Sequence, residues 1–140
     1  MGALTPQPVV AVRARVVEIR TIAAGETVSY GGTWRAPDTR RIATLPLGYA
    51  DGYRRALGNH AHVLVHGRRA PVVGVVTMDM TMVDVTDAPC EVGDVVTLLG
   101  RDGGEAIDVM QLAAAGSLSP YELLTGLRLR LPRRYTGQEA

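Results

Sequence analysis

A chain of 140 residues falls within the roughly 100–200 residues of a single domain. Its 46% hydrophobic content supplies a core at a size that buries roughly two-thirds of its surface, which excludes general disorder. Fifteen basic against 14 acidic residues leave a net charge of +1, so no whole-chain field draws in nucleic acid or an anionic membrane. All 15 basic residues are arginine, and without lysine the chain has no side-chain amine for a Schiff base. The single Cys90 excludes an internal disulfide and a multi-cysteine zinc site, and suits a reducing compartment. No run approaches the roughly 18 apolar residues of a membrane span, and no charged signal segment follows Met1. These features predict a soluble, cytoplasmic protein.

Short runs rich in Val, Leu, Ala and Ile, punctuated by 16 Gly and 8 Pro and lacking Phe, predict a mainly β domain. Residues 1–8 read as a linker or cut end, 9–134 as the domain and 135–140 as a tail. From Val9 to Ile22 the pattern alternates and shifts phase at Val16-Val17, which predicts one long strand with a bulge. Ala24-Gly25-Glu26 turns the chain, and a short strand over Thr27–Tyr30 breaks at Gly31-Gly32. Arg40–Leu47 is the next strand, ended by Pro46. A polar stretch over Gly48–Gly58 holds one helical turn at Tyr53–Leu57.

His62–His66 and Ala70–Thr77 predict a hairpin about Gly67-Arg68, the second arm a valine run like a strand covered on both faces. Thr81–Val85 and Asp94–Leu99 follow as strands, then Asp102-Gly103-Gly104 as a turn. Helical spacing over Ala106–Ala115 stops at Gly116. Ser119-Pro120-Tyr121-Glu122 has capping-box spacing with Pro at the first helical position, so a second short helix runs to about Thr125. Leu127, Leu129 and Leu131 alternate with Arg128 and Arg130 as a last strand. About eight strands and two short helices favour a closed or nearly closed barrel.

Three features invite a chemical reading. Tyr30 directly precedes Gly31-Gly32, so a strand end can hold its phenol where the backbone makes room for a ligand; equally, it reads as a rim tyrosine bonded to a carbonyl. Tyr49 lies in the glycine-bracketed loop Gly48-Tyr49-Ala50-Asp51-Gly52, which is either a site or a tight turn. Asp79, in Thr77-Met78-Asp79-Met80, emerges from the valine run as a cap or as a placed acid.

Four ordered motifs carry a resemblance: Val28-Ser29-Tyr30-Gly31 with Thr33-Trp34; Leu45-Pro46-Leu47-Gly48-Tyr49-Ala50-Asp51-Gly52; Met78-Asp79 with Met82-Val83-Asp84; and Tyr121-Glu122-Leu123 through Arg130-Leu131-Pro132-Arg133. From about Val9 to Arg133 the chain resembles the C-terminal β domain of alanine racemase. The resemblance implies a head-to-tail homodimer in which an N-terminal barrel carries pyridoxal phosphate on a lysine. It implies that Tyr30 is the second base, acting across the subunit boundary on L- and D-alanine, and that Tyr49 narrows the way to the substrate. Met78 and Asp79 then line the substrate carboxylate side. The chain departs from the family pattern at Thr77, where many members have Cys, at Met80, where many have Gln, and at Leu129, where some have a phosphate-binding Tyr. The barrel itself has no counterpart in these residues, so the domain alone is expected to be inactive, with the cofactor, the barrel and the second subunit as its partners.

A phenol with an ordinary pKa near 10 works as a base only where positive charge favours its anion, so a rigid perch facing a charged site suits Tyr30. Other constellations carry less. His60 and His62 share a strand face but lack a third ligand, and read as surface residues. Arg128, Arg130, Arg133 and Arg134 have no interleaved aromatics, which fits a solvated face or pairing with a partner domain better than nucleic acid. Cys90 reads as a small apolar residue. The alternative function class is a free-standing β module that keeps the fold and binds a partner protein without catalysis.

Overall fold

The computed structural model describes residues 10–127 and 130–136. Among them are ten strands, β1 Val12–Arg15, β2 Glu18–Ile22, β3 Thr27–Val28, β4 Trp34–Arg35, β5 Arg40–Leu45, β6 His62–Val65, β7 Arg68–Pro71, β8 Thr81–Asp84, β9 Val95–Asp102 and β10 Glu105–Ile107. Two helices follow, α1 Val109–Ala115 and α2 Pro120–Thr125. The strands form a five-stranded sheet (β1-β9-β6-β7, with β10 also on β9), a three-stranded sheet (β2-β5-β8) and the small β3-β4 ribbon, with every pairing antiparallel.

The mainly β class holds, but the closed barrel does not. Two local features interrupt closure. At Val16-Val17 the predicted bulge is a passage between sheets: the Val16 N–H donates to Asp94 O at 2.9 Å beside β9, and the Val17 N–H to Thr44 O at 3.0 Å beside β5. Val16 is 1% exposed and Val17 52%, so the phase shift marks a chain leaving one sheet for the other. On the far side, the strand predicted over Ala70–Thr77 forms only at Ala70-Pro71, the end of β7, and the valines beyond it supply only the isolated Val72–Val83 bridge. Gly74, at φ +77°, turns the chain out of the ladder there; a Cβ at Gly74 would lie 2.7 Å from Val28 O.

Other boundaries move for equally local reasons. Glu105–Ile107 pairs with β9 after the Asp102-Gly103-Gly104 turn, so α1 begins only at Val109, behind the Asp108 side chain that caps Gln111 N–H at 2.7 Å. The Ser119/Glu122 capping box is present as predicted, with Glu122 N–H donating to Ser119 Oγ at 3.1 Å. The Thr27–Tyr30 strand stops at Val28, and the single turn at Tyr53–Leu57 is instead two 3-10 turns, Tyr49–Asp51 and Arg55–Leu57. Leu127 is irregular and Arg130 lies in a turn, so these do not extend a last strand; Arg128, Leu129, the linker 1–8 and the tail residues 137–140 lie outside the described residues.

The main core gathers Leu45, Leu64, Leu98, Val63 and Val83 from the facing sheets and is covered by Leu112 of α1 and Leu123 of α2. Each such buried side chain contributes about 1.5–3 kcal/mol. A smaller cluster of Ile22, Val28, Ala36, Ile42 and Val73 lies beneath the β3-β4 ribbon and anchors it, with Trp34 and Met82 packed against it. Cys90 is buried, and burial pushes its thiol pKa up, as suits a small apolar residue.

Candidate functional site

Segment 74–78, which leaves the sheet at the valine run, is a spine to which two loops attach and which ends in a turn of its own. The Ser29 hydroxyl donates to Val75 O at 2.7 Å, fixing the start of the turn Tyr30–Gly32. The Tyr49 N–H donates to Thr77 O at 2.9 Å and the Ala50 N–H to Met78 O at 3.0 Å. The contact is closest at Gly48, where a Cβ would lie 2.0 Å from Thr77 O. A hairpin turn then reverses the spine: the Thr77 N–H donates to Met80 O at 3.0 Å, and the Met80 N–H to Thr77 Oγ1 at 3.1 Å. Thr77, not Asp79, therefore fixes this turn, and the Asp79 carboxylate faces outward.

One surface thus carries all four residues singled out in the sequence. Tyr30 is 74% exposed, and its phenol makes no hydrogen bond among the described residues, so the rim tyrosine bonded to a carbonyl is not what forms. Tyr49, Met78 and Met80 are exposed as well. Ser29 sits at φ +65°, ψ −172°, a conformation rare for a residue with a side chain and costing about 1–3 kcal/mol. Its neighbours hold Tyr30 there.

Two charged residues that sequence reasoning left unassigned complete the surface. Asp51, 4% exposed, accepts the Gly48 N–H at 3.0 Å. Arg130 donates to Asp79 Oδ1 at 2.8 Å and lies 3.4 Å from Asp51 Oδ1, joining the Tyr49 turn to the Asp79 turn. The Asp79 hydrogen bond, and next the Asp51 charge, raise the Arg130 pKa further. The alternating arginines read as a solvated face or a partner contact; only the fold brings Arg130 to two carboxylates distant in sequence. His60 and His62 are exposed, and no cluster of three or more metal-ligating side chains occurs among the described residues.

The sequence model described as "Alanine racemase, C-terminal domain" matches residues 9–135. The chain belongs to this family. It is 48% identical over 134 residues to the alanine racemase of Symbiobacterium thermophilum, covering 95% of this chain and 36% of that one. Among solved structures it is similar to alanine racemase from E. faecalis, with a TM-score of 0.85 and 36% identity over 90% of this chain and 33% of that one. It is likewise similar to the Bartonella henselae alanine racemase with covalently bound pyridoxal phosphate, with a TM-score of 0.82 and 34% identity over 89% of this chain and 34% of that one. The chain spans about a third of the length of the alanine racemases it matches.

Pyridoxal phosphate is the cofactor implied for an alanine racemase, and the described residues of this domain do not fit as its holder. There is no lysine to bind it covalently. Arg130, a cation on this surface, is committed to Asp79 and Asp51 and not free for a phosphate. What the domain presents is a pair of phenols, thioethers and a carboxylate on a braced surface. No helix among the described residues is long and apolar enough to cross a membrane.

Proposed function

We propose that this domain completes the active site of an alanine racemase, supplying Tyr30 as one of two bases and Tyr49, Met78 and Asp79 as substrate-side residues. The observation that carries this reading is the attachment of the Tyr30 and Tyr49 loops to one spine that ends in the Asp79 turn, in a chain whose family is alanine racemase. Pyridoxal phosphate, held on a lysine of a barrel outside this chain, supplies the acidification of the substrate Cα–H. Everything else follows from the surface.

Racemisation requires a proton to leave one face of Cα and another to arrive on the opposite face. Tyr30 Oη, with no hydrogen-bond partner among the described residues and held on a braced turn, is the group of this chain that moves a proton at Cα. A base confined to one face makes the lysine responsible for the other, and this division decides which enantiomer each base deprotonates. Tyr49 restricts the way in, while the Met78 thioether and the Arg130-paired Asp79 shape the pocket toward the substrate carboxylate. Tyr30 is exposed, so its phenol is available to a barrel outside this domain; that this barrel belongs to a second subunit of a homodimer is what the resemblance to alanine racemase implies.

The test is assembly. The chain alone should show no racemisation of alanine, and fusion to the barrel portion of the S. thermophilum relative should restore it in both directions. A well-folded fusion without racemase activity contradicts the reading and favours a module that binds partners without catalysis.

A further inference from the structure

The turn bearing Tyr30 is braced at both ends. At its start, Ser29 Oγ donates to Val75 O at 2.7 Å. At its end, Thr33 Oγ1 accepts from Asn59 Nδ2 at 3.0 Å, while Asn59 Oδ1 accepts the Gly74 N–H at 2.7 Å. One amide therefore bridges the end of the turn to the residue preceding the anchor of its start. Asn59 reaches that place at φ +62°, a left-handed conformation that Asn tolerates better than most residues with a side chain. Gly74 adopts φ +77°, and a Cβ there would lie 2.9 Å from Ser29 Cβ, so the two segments are already in contact. Three strained or left-handed residues, Ser29, Asn59 and Gly74, thus meet around one turn whose exposed product is the Tyr30 phenol. A surface tyrosine needs no such support for stability. Strain retained around a single side chain is a mark of positioning.

We propose that Asn59 is a positioning residue for Tyr30, acting through Thr33 and Gly74 to fix where the phenol stands relative to the substrate Cα. The proposal rests on the reading of Tyr30 as a base. Its physical content is that the Thr33–Asn59–Gly74 link removes the freedom that the Ser29 anchor and the Val28–Trp34 pairing of the ribbon leave to the Tyr30–Gly32 turn. A displacement of the phenol by about 1 Å is enough to lower a proton-transfer rate by up to about a hundredfold.

Asn59→Gly keeps the left-handed backbone and deletes the amide; Thr33→Val deletes only the hydroxyl that accepts from it; Thr33→Ser preserves that hydroxyl. In the fusion with the S. thermophilum barrel, loaded with pyridoxal phosphate, the readout is solvent-deuterium exchange at Cα of each enantiomer separately. The expected result is a fall of about ten- to a hundredfold in the Tyr30-dependent exchange for Asn59→Gly and Thr33→Val, with the lysine-dependent exchange unchanged and Thr33→Ser like the parent. Loss of folded protein would lower both exchanges together, so the ratio isolates positioning from stability. If Asn59→Gly does not fold, Thr33→Val alone decides. Exchange ratios equal to the parent's in Asn59→Gly and Thr33→Val, with Tyr30→Phe defective, overturn the role of Asn59 alone. A Tyr30→Phe fusion as active as the parent overturns the reading of the base and this inference with it.

Discussion

Gly48→Ala is the substitution for which the structure gives the sharpest magnitude. Gly48 has φ −153° and ψ −156°, an extended conformation open to any residue, so alanine brings no backbone strain of its own. The penalty comes entirely from contact. The new Cβ would lie 2.0 Å from Thr77 O and 2.7 Å from both the carbon and the oxygen of the Met78 carbonyl. Real Cβ contacts essentially never fall under 3.0 Å, so the two segments must part. Separating them stretches both hydrogen bonds between them, Tyr49 N–H to Thr77 O and Ala50 N–H to Met78 O, past bonding distance. Overpacking costs about 1–3 kcal/mol, and each of the two lost bonds adds about 0.5–1.5 kcal/mol, for a total of about 2–6 kcal/mol. In a domain of this size that is a fall of about 7–20 °C in Tm. The assay is thermal and urea denaturation followed by circular dichroism, beside Gly104→Ala, where a Cβ meets nothing within 4 Å and φ is not left-handed. If Gly48→Ala melts within about 2 °C of that control, the tight apposition of the Tyr49 turn and the spine is not what holds this surface together.

Two further outcomes follow from the charges. Asp94 accepts from His66 at 2.9 Å and from the Glu91 N–H at 2.8 Å; these hydrogen bonds, the His66 one first, hold its carboxyl below the ordinary 3.8. A lowered native pKa contributes stability that is present above 3.8 and lost as pH falls through the native value. Melting temperatures of the parent and Asp94→Asn should therefore differ at neutral pH and converge in acid, and a gap that persists into acid removes Asp94 as its source. Mixed with pyridoxal phosphate, the chain should show only weak, dialysable binding in its absorbance spectrum, since it has no lysine. A cofactor signal that survives dialysis contradicts that count as an argument.

The parts of the fold that were legible in the sequence are those decided within a few residues. Ser119 and Glu122 specify a helix start by themselves, and the hairpin that opens at His62 is present, though its turn is His66-Gly67 in place of Gly67-Arg68 and its second arm is Arg68–Pro71 in place of Ala70–Thr77. The parts that were not legible depend on what lies across the sheet. Val16-Val17 has the same pattern whether a strand bulges or changes sheets, and only the partners Asp94 and Thr44 distinguish the two. The run Val72–Val76 reads as a strand because valine suits one, yet Gly74 turns it outward to become the spine. At the site, the motifs drew attention to Tyr30, Tyr49, Met78 and Asp79, while Asn59 and Arg130 were hidden. A Gly58-Asn59 pair signals a turn and nothing more, and an arginine in an alternating stretch signals a polar face. Their roles exist only once residues 15 to 79 positions apart in sequence are brought together.

The central claim is that Tyr30 is a base serving one face of the substrate, and Tyr30→Phe in the barrel fusion tests it most directly. The substitution removes one exposed hydroxyl that bonds to nothing among the described residues, so Tm should change by no more than the equivalent of about 1 kcal/mol. Loss of a positioned general base lowers the rate by about 10²- to 10⁴-fold. Measured as solvent-deuterium exchange at Cα, the account predicts a one-sided defect: exchange of one enantiomer fails, exchange of the other survives on the lysine, and racemisation stops in both directions. A Tyr30→Phe protein that melts far below the parent, and loses both exchanges only in proportion to its unfolded fraction, would show that Tyr30 is structural and contradict the account.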